Sequence, residues 1–151
     1  MVAPFRMPTA GGKIIIYTDG GARNNPGPAG AGVIIFDGAK KIAEVKTFLG
    51  NQTNNWAEYE AVALALQEAK RRGLAKREIE MRLDSQLVAE QLSNNYQVKE
   101  ETLWPQYMKV HNLLVAHFKK HTFTYIPREQ NEEADALVNQ AIDEGLANSQ
   151  H

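Results

Sequence analysis

The sequence predicts an α/β fold, a five-stranded mixed sheet flanked by helices. Three observations predict it. Apolar runs with strand-like alternation crowd the first fifty residues, the apolar spacing lengthens to a helical one at residue 54, and strands and helices then take turns to the end. The 151 residues, 43% hydrophobic and 23% charged, suit one domain with a substantial core.

The elements follow in order. Lys13 to Thr18 (KIIIYT) is a β-branched apolar run bounded by glycines, the pattern of a buried strand. GGARNNPGPAGAG is too rich in Gly and Pro to be helical and reads as a loop. Val33 to Phe36 is a second strand, and Asp37-Gly38 signals a hairpin into a third, Lys41 to Leu49, which alternates Ala43, Val45 and Thr47 against Ile42, Glu44, Lys46 and Phe48. These three form an antiparallel meander.

From Asn54 to Arg72, Tyr59, Val62, Ala63 and Leu66 make a helical stripe, and Gly73 stops the helix. Glu78 to Leu83 alternates as a strand, Ser85 to Leu92 is a short helix, and Thr102 to Phe118 is a longer one, with Pro105 tolerable in its first turn. His121 to Ile126 is the last strand. Asn131 is expected to cap a final helix with Ala134, Leu137, Val138, Ala141 and Ile142 in register. The order β-β-β-α-β-α-α-β-α implies parallel crossovers in the second half of the sheet. Residues 1–12 (MVAPFRMPTAGG) are expected to be a flexible tail, 13–146 a single domain, and 147–151 a C-terminal tail.

Composition excludes several classes. With no Cys, disulfides and thiolate metal sites are out. No apolar stretch approaches the roughly 18 residues of a membrane span, and the start lacks the apolar core of a secretory signal. A cytoplasmic protein without a membrane partner is the expectation. Lys plus Arg (17) nearly balance Asp plus Glu (18), so net charge announces no nucleic acid, although a local cationic strip can coexist with a neutral total.

Four carboxylates carry the chemistry. Asp19 in YTDGGARNNPGPAGAG and Asp84 in MRLDSQ each follow an apolar strand; Glu58 in QTNNWAEYEA and Asp135 in PREQNEEADALV each fall in a first helical turn. In open α/β sheets, ligands bind beyond the carboxyl ends of the parallel strands, so strand ends and helix starts can face one another there. Taken singly, Asp84 reads equally as a cap, Glu58 and Asp135 as acids complementing a helix dipole, and Asp19 as a turn residue. Brought together they would need bound cations, and oxygen-only ligands suit Mg²⁺.

The segments YTDGGARNNPGPAGAG, QTNNWAEYEA, LDSQLV and NEEADALV resemble type 1 ribonuclease H, in the order of that family and over nearly the whole chain. The resemblance implies a five-stranded mixed sheet with flanking helices. It implies cleavage of the RNA strand of an RNA–DNA hybrid by two Mg²⁺ (or Mn²⁺) ions, leaving a 5′-phosphate and a 3′-hydroxyl. Asp19 would bridge the two ions, with Glu58, Asp84 and Asp135 as further ligands. Gly20 opens a loop that lets backbone N–H groups approach substrate. Asn25, Asn54, Asn55 and Gln86 match amides that contact the minor groove, where they would read 2′-hydroxyls, and Thr53 matches a residue holding a DNA-strand phosphate. A monomer is expected. The alternatives are double-stranded RNA as substrate, the DNA chemistry of integrase-like relatives, and a non-catalytic hybrid-binding module.

The chain departs from that pattern in its cations. Where many relatives carry a His before the last helix, Arg128 stands nearest, able to hold a phosphate but not to act as a base; a surface pair with Glu132 or Glu133 is the competing reading. The segment SNNYQVKEET lacks a basic protrusion, offering only Lys99, and Asn51 replaces an Arg of the phosphate-holding loop. Weak hybrid binding with a shallow salt dependence follows, unless Lys119, Lys120 and Arg128 compensate. Trp56, close to Glu58, is a plausible sugar or base contact, and Trp104 is expected to pack. His111, His117, His121 and His151 form no metal pattern.

Overall fold

A computed structural model describes residues 12–149. Five strands form one sheet in the order β3-β2-β1-β4-β5: β1 (Ile14–Ala22), β2 (Gly27–Asp37), β3 (Lys40–Gln52), β4 (Ile79–Leu83) and β5 (His121–Tyr125). β1, β2 and β3 pair antiparallel, whereas β1–β4 and β4–β5 pair parallel. Among the described residues four α-helices accompany the sheet: α1 (Asn54–Arg71), α2 (Gln86–Leu92), α3 (Trp104–His117) and α4 (Glu132–Asn148).

The alternation of apolar side chains sorts them to two faces. Ile14 and Ile16 of β1, with Val33 and Ile35 of β2, join a core completed by Tyr59, Val62 and Leu66 of α1 and Val110 of α3, all fully buried. Their neighbours Tyr17, Ile34 and Phe36 point the other way and meet Ala134 and Leu137 of α4. Each fully buried aliphatic side chain contributes about 1.5–3 kcal/mol, so the sheet is held from both sides. The predicted stripes of α1 and α4 are the buried ones. Gly73 ends α1 with φ +78°, and Gly38 turns the β2–β3 hairpin at φ +62°.

Three expectations are corrected. The glycine-rich segment is mostly strand: β1 continues through Ala22 and β2 begins at Gly27, paired from Ile14↔Asp37 to Ala22↔Ala29. α4 occupies 147 and 148, where a tail was expected. Asn131 does stand before α4, but its side chain makes no capping bond. Of the expected N-terminal tail, only Gly12 is described, its carbonyl accepting from Arg77; residues 1–11, 150 and 151 lie outside the described residues.

Two glycines on β2 bring α4 against the sheet backbone. A Cβ on Gly32 would stand 2.4 Å from the Ala134 carbonyl oxygen, and one on Gly30 would stand 2.9 Å from that of Val138. That approach sets Asp135 close to the edge where the parallel strands end.

Candidate active site

The parallel ladder between β1 and β4 ends at Thr18↔Leu83. Asp19 and Asp84 are the next residues on the two strands, so both carboxylates emerge at one edge. Asp19 thus lies inside β1 rather than after it, opposite Gly32 on β2. Glu58 arrives from α1, where it is the fifth residue and opens the second turn, not the first. Gly20 makes that arrival possible: a Cβ there would sit 2.1 Å from the Ala57 carbonyl oxygen and 2.6 Å from the Glu58 nitrogen. Across this contact the Gly20 N–H donates to Glu58 Oε1.

One carboxylate oxygen from each of Asp19, Glu58 and Asp84 lies within 4.8 Å of the others. Asp135 is exposed and lies outside that triad, but it lines the same cavity of about 440 Å³ and its charge acts on Asp19 and Asp84. Two of the three are held away from water, and Asp84 is half-buried. Asp19 and Glu58 are each 7% exposed. Burial, then the charges of Glu58 and Asp84, pushes the Asp19 carboxyl up to about 10. Burial also pushes Glu58 up to about 7, against hydrogen bonds from Asp19 and the Gly20 N–H that favour its ionised form. Asp84 is raised as well, chiefly by burial, while the Asn131 amide and the Arg128 charge pull it down.

Three clustered acids that resist ionisation by themselves are the donor set a hard divalent cation would satisfy, since the cation replaces the protons that otherwise relieve their repulsion. Asp19, Glu58 and Asp84 would hold it, with Asp135 at the rim.

The other predicted residues are distributed around this edge. Asn54 and Asn55 line the cavity, as does Arg128. Asn54 Oδ1 accepts from the Ala22 N–H at 2.7 Å, and Asn25 Oδ1 accepts from the Asn54 N–H at 2.9 Å, which fixes the glycine-rich turn to the start of α1. Thr53 caps α1, its Oγ1 accepting from the Trp56 N–H at 3.2 Å. Gln86 is exposed at the start of α2, beside the cavity rather than in its wall. Arg128 makes no ion pair among the described residues; Glu133 pairs instead with Lys41 at 2.6 Å. Trp56 packs against the core and does not line the cavity, whereas Trp104, expected to pack, is half exposed.

Among the cavity residues that the sequence did not point to are Arg23 and Asn139. Arg23 reaches from the turn after β1 to Asp143 at 2.8 Å and to Asn139 Oδ1 at 3.2 Å, and Arg23 and Asn139 both line the cavity. The 135, 139, 143 spacing, one face of α4, was the signal available for Asn139. No helix among the described residues is long and apolar enough to cross a membrane.

Comparison with known proteins agrees with this geometry. A family described as reverse transcriptase-like matches residues 17–141. Ribonuclease HI of Halobacterium salinarum is 40% identical over 138 residues, covering 91% of this chain and 68% of that protein. A bifunctional protein of Mycobacterium tuberculosis is 38% identical over 133 residues, 87% of this chain, which spans only 36% of that relative's length. Among solved structures, a compost-derived ribonuclease H1 in complex with RNA/DNA hybrid superposes with a TM-score of 0.85 at 46% identity, covering 88% of this chain and 99% of that one. The Halobacterium salinarum enzyme gives 0.82 at 39% identity, again covering 88% and 99%. On sequence, fold and the acidic edge together, this chain belongs to the ribonuclease H family.

Proposed function

We propose that this protein is a metal-dependent endoribonuclease that hydrolyses the RNA strand of RNA–DNA hybrids. The observation that carries the reading is the meeting of buried Asp19 and Glu58 with half-buried Asp84, drawn together to within 4.8 Å at the carboxyl edge of the parallel strands. Two divalent ions, Mg²⁺ or Mn²⁺, would activate a water and stabilise the departing oxygen. Asp19, Glu58, Asp84 and Asp135 are the side chains to hold them. Attack of water on phosphorus with departure of the ribose 3′-oxygen leaves a 5′-phosphate and a 3′-hydroxyl. No side-chain nucleophile is needed; the hydroxyl in the cavity wall, that of Ser85, accepts from the Val88 N–H as the cap of α2.

Selection of RNA rests on groups that can both donate to and accept from a 2′-hydroxyl. Asn54 and Asn55 stand in the cavity wall and Asn25 next to them, with Gln86 at the margin. Arg128, in the cavity wall, would hold a phosphate and, as a permanent cation, cannot be a general base. Thr53, fixed at the head of α1, is the candidate for a DNA-strand phosphate. The same reading makes the domain a cytoplasmic monomer.

The test adds Mg²⁺ or Mn²⁺ to RNA–DNA hybrid, duplex RNA and duplex DNA, with wild type and Asp19→Asn. Cleavage confined to the hybrid and lost in the folded variant is expected. Hybrid cleavage that survives in full in Asp19→Asn removes the acidic cluster from the reaction.

A further inference from the structure

Asn131 occupies the position from which a side chain ordinarily caps a helix, and it does something else. It precedes α4 with φ −120° and ψ 25° and makes no side-chain capping bond. Its Nδ2 donates to the Thr18 carbonyl at 2.8 Å and to Asp84 Oδ2 at 3.3 Å. The residue is only 1% exposed, and its Oδ1 is buried without a partner among the described residues. A buried, unpaired acceptor is costly. An Asn at a helix start has a ready way to avoid that cost, by turning its oxygen onto the helix N–H groups. The two groups it faces, a carbonyl and a carboxylate, are both acceptors, so the amide nitrogen and not the oxygen must point there. The side chain serves Asp84 at the expense of α4.

The place of this bond in the sheet gives it meaning. Thr18 and Leu83 are the last pair of the parallel ladder, and Asp19 and Asp84 follow them. One NH₂ group therefore ties the end of β1, the carboxylate after β4 and the start of α4, the element that carries Asp135. We propose that Asn131 is a positioning residue for the metal site: its amide orients the Asp84 carboxylate toward Asp19 and Glu58 and holds Asp135 in reach of them. This rests on the metal-dependent reading given above. Hydrogen-bond partners of ligating carboxylates typically govern metal affinity by about 10- to 100-fold.

The experiment titrates Mn²⁺ alone into the full-length protein by calorimetry, for wild type, Asn131→Ala and Asn131→Ser, with urea unfolding of each in chelator. The Ala variant deletes both donated bonds, whereas Ser keeps one shorter donor. The expected result is a weakening of Mn²⁺ binding of about 10-fold or more in Asn131→Ala, partly recovered in Asn131→Ser, together with unchanged binding of hybrid in chelator. Should Asn131→Ala fail to fold, the Ser variant alone decides: reduced Mn²⁺ affinity supports the assignment. Lower stability with wild-type Mn²⁺ affinity would make Asn131 a strut between β1 and α4 and overturn it. Wild type that binds no Mn²⁺ would overturn the metal reading itself, a result separable from any difference between the variants.

Discussion

The raised Asp19 carboxyl makes a quantitative demand on stability. Folded, it holds its proton up to about pH 10; unfolded, it releases it near the ordinary carboxyl value of 3.8. A folded-state pKa raised above the unfolded value contributes stability that is fully present below the unfolded pKa and is lost as pH rises through the folded one. Between about pH 4 and pH 10 the metal-free protein therefore keeps a proton that the unfolded chain has lost. One proton of difference corresponds to about 1.4 kcal/mol of lost stability per pH unit. From about pH 5.5 to pH 8 this amounts to at most about 3 kcal/mol, a large share of a domain's typical stability.

Asp19→Asn removes the ionisation while keeping the volume, so this contribution to the slope vanishes. In chelator, the variant gains on wild type between pH 5.5 and pH 8, by up to about 3 kcal/mol, read from urea unfolding midpoints at constant m-value. Added Mn²⁺ at about 1,000 times its Kd reverses the ranking at pH 8, because it stabilises wild type by about 4.1 kcal/mol and finds no complete site in the variant. Parallel pH profiles for the two proteins, or a variant that is the less stable one at pH 8 without metal, would refute the idea that burial and repulsion hold Asp19 protonated.

Further outcomes follow from the same geometry. Gly20→Ala drives a methyl into the Ala57 backbone, 2.1 Å away, and should destabilise the fold by about 3 kcal/mol in thermal unfolding while reducing metal affinity, since β1 and α1 must separate. Arg128→Ala removes a charge that favours the ionised forms of Glu58 and Asp84, so the acid limb of the pH–rate profile should move to higher pH, whereas Arg128→Lys should leave it nearly in place. Hybrid binding should fall only about tenfold between 50 and 200 mM salt, as for about two neutralised phosphates, when followed by fluorescence anisotropy. Arg23, at the cavity, and Lys41 and Lys46 on β3 are already paired with Asp143, Glu133 and Glu144, which withdraws them from the cations that displace counterions.

Side-chain periodicity made most of the fold legible. The stripes of α1 and α4, the hairpin at Gly38 and the five strands follow from it, because a buried face imposes its own spacing on the residues that fill it. It fails between Gly20 and Gly32. There the backbones of α1 and α4 press on β1 and β2 so closely that glycine replaces the side chains that would announce a strand. The four acids stood out because each ends a strand or begins a helix, but Glu58 sits one turn deeper than its motif suggested, and Asp135 stays at the rim. Asn131 was legible as a helix start and not as a partner of Asp84. The hydrogen bond it forgoes and the one it makes use the same amide, and only coordinates tell them apart.

These departures from local rules are not scattered. A close backbone approach at Gly20, an unpaired buried acceptor at Asn131, an acid held protonated at Asp19 and a glycine-rich stretch of strand all lie at the end of the sheet where the parallel ladder stops. The core beyond that end, around Ile16, Met81 and Leu66, is apolar and fully buried. Relaxed constraint would distribute such faults over the whole surface, whereas a site that must hold charge in a confined space concentrates them. Each fault also has a relief in the same event. A bound cation would remove the need for the Asp19 proton and would use the Asp84 orientation that the Asn131 amide already favours and the Gly20 contact that places Glu58. A cost confined to the metal-free protein and removed on metal addition would tie the expense of the site to its use.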